Sequence, residues 1–118
     1  MGYIDAGYDR IASLDDLQMT VLDAINPIRD GMREKDKPRL EIAIGKKREY
    51  FELYGYPNVR ELFRPHLTLT RFLSERPIDA SDLPSSEDFS GTFPKLGLFE
   101  MGDNGTCVRK IAEFDFKT

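Results

Sequence analysis

The residues best suited to chemistry lie within Pro65-His66-Leu67-Thr68-Leu69-Thr70, which contains the only histidine of the chain. The run alternates as a β-strand does, with successive side chains on opposite faces. Leu67 and Leu69 then share one face, and His66, Thr68 and Thr70 line the other. That second face carries an imidazole with hydroxyls two and four residues along. Imidazole is the side chain that ordinarily changes charge near neutral pH, and hydroxyls beside it can hold oxygen atoms. Together they suit proton transfer at a phosphate or carbonyl. Arg64 has the same strand parity as His66.

The rest of the chain must position that strand. At 118 residues with 40% hydrophobic content, eight Phe and five Tyr, the composition predicts one folded domain over residues 1–118 with a modest core. No apolar run reaches the roughly 18–20 residues of a membrane helix. Met1 to Arg10 lacks the basic and apolar regions of a secretory signal, so the cytoplasm is the expected location. A single cysteine, Cys107, forms no intramolecular disulfide and makes no metal site by itself; a small buried side chain is expected there.

The net charge of −4 argues against a long nucleic-acid groove, which needs a basic footprint. The charge is uneven, however. Residues 29–76 hold 12 Lys+Arg against 8 Asp+Glu, and the remainder holds 5 against 13. The basic middle, with Lys46, Lys47, Arg48, Arg60, Arg64 and Arg71, surrounds His66 and suits either a small anion or a solvated surface.

Residues Tyr3–Tyr8 read as a strand. A helix then begins, with Ser13 as its cap, Asp16 in capping-box position and Asp15 and Asp16 at the positive helix end. Leu14, Leu17, Val21 and Ile25 make its apolar stripe. Asn26-Pro27 ends or kinks it. Residues 30–38 are charged and turn-rich. Lys46–Tyr54 predicts a second helix, stopped at Gly55. A polar loop spans Ser74–Asp88. Extended segments at Phe89–Met101 and Thr106–Phe116 are joined by the turn Gly102-Asp103-Asn104-Gly105. The expected fold is α+β, an antiparallel sheet with two helices packed on one face.

Other constellations have plainer explanations. Gly102 and Gly105 mark a turn, because no Lys-Ser/Thr and no helix follows as in a phosphate loop. Helix capping accounts for Asp15-Asp16. The aromatics from Tyr50 to Phe63 can stack a base but suit a core at helical spacing. One histidine without a nucleophile elbow supports no Ser-His-Asp or Cys-His arrangement.

The run Tyr54-Gly55-Tyr56-Pro57-Asn58-Val59 followed by Phe63-Arg64-Pro65-His66-Leu67-Thr68-Leu69-Thr70 resembles the second-motif region of the two-histidine (2H) phosphoesterases. That superfamily includes 2′-5′ RNA ligase-like proteins and cyclic phosphodiesterases. Leu96–Met101 and Ile111–Phe116 resemble the hairpin that closes such proteins. The resemblance implies one lobe of a 2H phosphoesterase-like fold, acting without metal or other cofactor on a 2′,3′-cyclic phosphate or 2′-5′-linked nucleotide. It assigns His66 as acid or base and Thr68 as the phosphate-binding hydroxyl. Arg64 and Thr70 are substrate-binding candidates by strand parity. A complete member needs two His-x-[Ser/Thr] motifs, and this sequence has one. Three explanations follow: a homodimer that brings two His66 side chains together, a fragment of a longer protein, or a noncatalytic half-domain binding a nucleotide or protein.

Overall fold

A computed structural model describes residues 2–117. The chain divides into two compact units, Met1–Pro77 and Ile78–Thr118. The architecture is mixed α+β. Among the described residues, two separate two-stranded antiparallel sheets stand where the sequence suggests a single sheet, and three α-helices where it suggests two.

In the first unit, β1 (Tyr3–Gly7) pairs antiparallel with β2 (His66–Arg71). Between them lie α1 (Ala12–Ile25), α2 (Lys37–Ile42) and α3 (Gly45–Tyr54), with short 3-10 turns at Asn26–Ile28, Glu34–Asp36 and Arg60–Leu62. Helix α1 follows its stripe: Leu14, Leu17 and Val21 are half-buried, while Ile25 is exposed. Its start differs from the expected one. Ile11 occupies the cap position without a side-chain hydrogen bond, and Ser13 lies inside the first turn. The Arg10 guanidinium instead reaches Asp15, with Nε 3.0 Å from Oδ1. The first-turn Asp15 carboxylate suits the positive helix end, but the cap position itself supplies no side-chain acceptor. The helix ends before Pro27, which enters a 3-10 turn.

The charged segment 30–38 hides a short helix. Asp36 is only 1% exposed, and its carboxylate accepts from Arg33 Nε at 2.7 Å and Arg39 Nη1 at 3.0 Å. This three-residue clasp leads directly into α2, with Pro38 in the first turn, where a missing N–H is harmless. Six residues without an apolar stripe give no periodic signal, which is why the helix is not legible. Helix α3 carries the core: Tyr50 and Phe51 are buried, together with Val59 and Pro57 beyond its end. It stops at Gly55, whose φ of 73° is left-handed and whose N–H donates to Phe51 O at 2.9 Å. That is the stop glycine provides.

The second unit is a hairpin of β3 (Lys95–Met101) and β4 (Cys107–Asp115), preceded by 3-10 turns at Ala80–Asp82 and Ser86–Phe89. The strands are shorter than the extended segments expected from sequence. The turn between them places Asn104 at φ 58° and Gly105 at φ 76°, as an Asn-Gly pair permits. Lys95–Glu113 at 3.0 Å and Arg109–Glu100 at 2.9 Å join the strands across the ladder. Cys107 is exposed rather than buried. No described helix is long and apolar enough to cross a membrane.

Candidate functional site

Strand β2 enters its ladder from the Arg60–Leu62 turn, and that turn is held from several sides. Arg10 Nη1 donates to Glu61 O at 2.7 Å, and Arg10 Nη2 to Arg60 O at 3.1 Å. The Arg60 N–H donates to Gln18 Oε1 at 3.2 Å, and Arg60 Nε to Tyr54 Oη at 2.7 Å. These bonds hold Arg60 at φ 53°, a conformation costly for a residue with a side chain. Tyr50 Oη donates to Glu61 Oε2 at 2.5 Å. Sharing its proton with that carboxylate pushes the Tyr50 phenol up to about 12. The same bond holds the Glu61 carboxyl below its ordinary value. Turn and core helix are therefore tied together immediately before β2.

The β1–β2 register decides which side chains meet. Gly7 stands opposite His66, Ala6 opposite Leu67 and Asp5 opposite Thr68. A bulge follows, in which Leu69 has no partner, and beyond it Ile4 faces Thr70 and Tyr3 faces Arg71. Residues directly opposite in an antiparallel pair share a face, and an extra residue shifts the alternation by one. One face therefore carries Tyr3, Asp5 and Gly7 with His66, Thr68 and Arg71. Thr70 lies with Ile4 on the other face. The expected grouping of His66 and Thr68 matches this register; the expected place of Thr70 beside them does not, because uninterrupted alternation ends at the bulge. Arg71 takes the parity that sequence gives to Thr70.

On the first face, His66 and Thr68 are exposed, as are Asp5 and Gly7. A Cβ added to Gly7 would meet nothing within 4 Å, so the space across the ladder from His66 is open. The imidazole Nδ1 lies 2.7 Å from the Arg64 carbonyl oxygen. A carbonyl only accepts, so Nδ1 carries the proton and Nε2 of the neutral ring offers its lone pair. Arg64 precedes the strand with its side chain exposed, and its guanidinium makes no ion pair among the described residues.

Much of the surrounding positive charge is already engaged. Lys46 lies 3.3 Å from Glu49 and 3.9 Å from Glu61, Arg48 lies 3.3 Å from Glu52, and Arg60 lies 3.6 Å from Asp23. The aromatic run supplies core rather than a stacking platform at Tyr50 and Phe51, which are buried. No group of three or more His, Cys, Asp or Glu side chains suited to a metal ion occurs among the described residues. The residue that sequence reasoning misses is Asp5. Its signal is the pattern of β1, where Ile4 and Ala6 are half-buried and Tyr3, Asp5 and Gly7 are exposed.

No curated protein and no solved structure matches the chain. Residues 7–92 match the family described as "Protein of unknown function (DUF1045)". The matched span takes in α1, α2, α3 and all of β2 with His66 and Thr68, and ends before the β3–β4 hairpin. It covers well over half of the chain, which belongs to this DUF1045 family.

Proposed function

We propose that the chain supplies a His-x-Thr half-site of a 2H-type phosphoesterase, acting on a 2′,3′-cyclic phosphate or a 2′-5′-linked nucleotide. The observation that carries this reading is the open sheet face on which His66 and Thr68 stand two residues apart, across from Gly7 and Asp5. In this reading the neutral His66 ring, with Nδ1–H held by the Arg64 carbonyl, takes a proton at Nε2 from water or a ribose hydroxyl. In the protonated ring the same Nε2–H serves as the acid toward a leaving oxygen. The Thr68 hydroxyl donates to a non-bridging phosphate oxygen, and the exposed Arg64 guanidinium attracts the anion.

An in-line displacement uses one acid and one base, and the chain has a single histidine. A second copy related by a two-fold axis supplies the other imidazole. Such an interface is self-complementary by symmetry.

The test is turnover of a panel of 2′,3′-cyclic nucleotides by wild type and by His66→Ala prepared identically. The variant is expected to lose ~10²–10⁴ in rate, the usual worth of a positioned acid or base. Equal rates in the two preparations, or none in either, would remove the catalytic reading and leave a module that binds nucleotide or protein without turnover.

A further inference from the structure

We propose that Asp5 selects the charge of the ligand held over Thr68, admitting a monoanionic phosphodiester and turning away a dianionic phosphomonoester. The inference rests on the phosphoesterase reading of the same face and goes beyond it, to how substrate is told from product. Asp5 pairs directly with Thr68, so its carboxylate rises from the sheet beside the hydroxyl that would hold a phosphate oxygen. It is exposed and has no hydrogen bond or ion pair among the described residues. Neither a cap nor a cross-strand ion pair among the described residues therefore accounts for it. The other groups on this face are Tyr3, Gly7, His66 and Arg71. Arg71 is half-buried and has interactions of its own.

A carboxylate placed there repels any phosphate, and it repels a dianion about twice as strongly as a monoanion. For a phosphate centred roughly 6 Å away, the second charge lowers affinity by a factor on the order of 3–100 across the dielectric range of a partly exposed site. Ring opening of a cyclic phosphate turns a monoanion into a monoester that is largely dianionic above its second pKa of about 6. The same carboxylate would thus favour entry of substrate and departure of product.

The probes are 2′-deoxyadenosine 3′-phosphate and its methyl ester, which differ by one charge at pH 8 and have no 2′-hydroxyl through which to react. Binding is followed by NMR through the backbone amide of Thr68, in wild type, Asp5→Asn and Asp5→Glu. Wild type is expected to prefer the methyl ester. Asp5→Asn should tighten the monoester by about tenfold relative to the ester, and Asp5→Glu should keep the wild-type preference. An unchanged ratio in Asp5→Asn, with ester binding retained, would overturn this inference alone. Wild type binding neither probe would overturn it together with the phosphoesterase reading.

Discussion

The Nδ1 atom of His66 donates to the carbonyl oxygen of Arg64, two residues earlier, at 2.7 Å. A main-chain contact so near in sequence fixes the ring's orientation without needing another side chain. It also fixes the tautomer, because the free nitrogen of the neutral ring is then Nε2. Long-range proton–nitrogen correlation on the neutral ring should show a pyrrole-type Nδ1 and a pyridine-type Nε2. Under the phosphoesterase reading, the opposite assignment would mean that Nε2 is a donor in the resting state. His66 would then be unable to begin as a base through Nε2.

The bulge at Leu69 makes a sharper distinction between the two hydroxyls of β2. Thr68 pairs with Asp5 on the face of His66, whereas Thr70 pairs with Ile4 on the other face. Under the phosphoesterase reading, Thr68→Ala should lower kcat/KM by roughly 10–100-fold, the worth of one hydrogen bond to a charged group. Thr70→Ala should change it by less than about twofold. Equal losses from the two variants would contradict the register, and a larger loss from Thr70→Ala would reverse it.

Those two threonines also show what sequence can and cannot reveal here. His66 and Thr68 were legible as neighbours, because alternation is local and nothing interrupts it between them. Thr70 was not, since a bulge is set by the partner strand, and one unpaired residue inverts all that follows. Asp5 escapes a sequence reading for the same reason: its meaning comes from pairing with a strand about sixty residues away. Helix α1 and the Gly55 stop could be read from an apolar stripe and a turn residue. Helix α2 could not, because it depends on the clasp of Asp36 by Arg33 and Arg39. The second sheet is not legible, because periodicity identifies strands but does not say which pair.

The Asp36 clasp has a pH signature. Burial by itself would raise this carboxyl's pKa, but the hydrogen bonds from Arg33 and Arg39 and their positive charges outweigh it and hold it below the ordinary value. A carboxyl depressed in the folded state contributes stability that is fully present above its unfolded pKa, about 3.9. That contribution is lost as pH falls from there through the folded value. Urea unfolding of wild type between pH 7 and pH 2 should therefore show a loss of stability below about pH 4 that is reduced in Asp36→Asn. At pH 7 the substitution should cost about 1.5–3 kcal/mol, in the range for hydrogen bonds to a charged group. Parallel acid curves for the two proteins would show that the clasp contributes nothing to the acid limb.

Gly55 joins the core helix to the segment that delivers β2, and two separable penalties await a side chain there. Its φ of 73° is left-handed, and a Cβ would come within 2.8 Å of Arg29 Nη1. The backbone term alone is roughly 1–2 kcal/mol. The steric term depends on whether Arg29 can withdraw, and its guanidinium donates to Asn26 Oδ1 at 3.0 Å, to Leu53 O at 3.3 Å and to Gly31 O. Gly45 provides the control, since its φ is 60° but an added Cβ would meet nothing within 4 Å. Gly55→Ala should destabilise more than Gly45→Ala, and the excess should vanish in an Arg29→Ala background. If the two alanines cost the same with Arg29 present, the guanidinium yields freely and only the backbone conformation selects glycine at the end of α3.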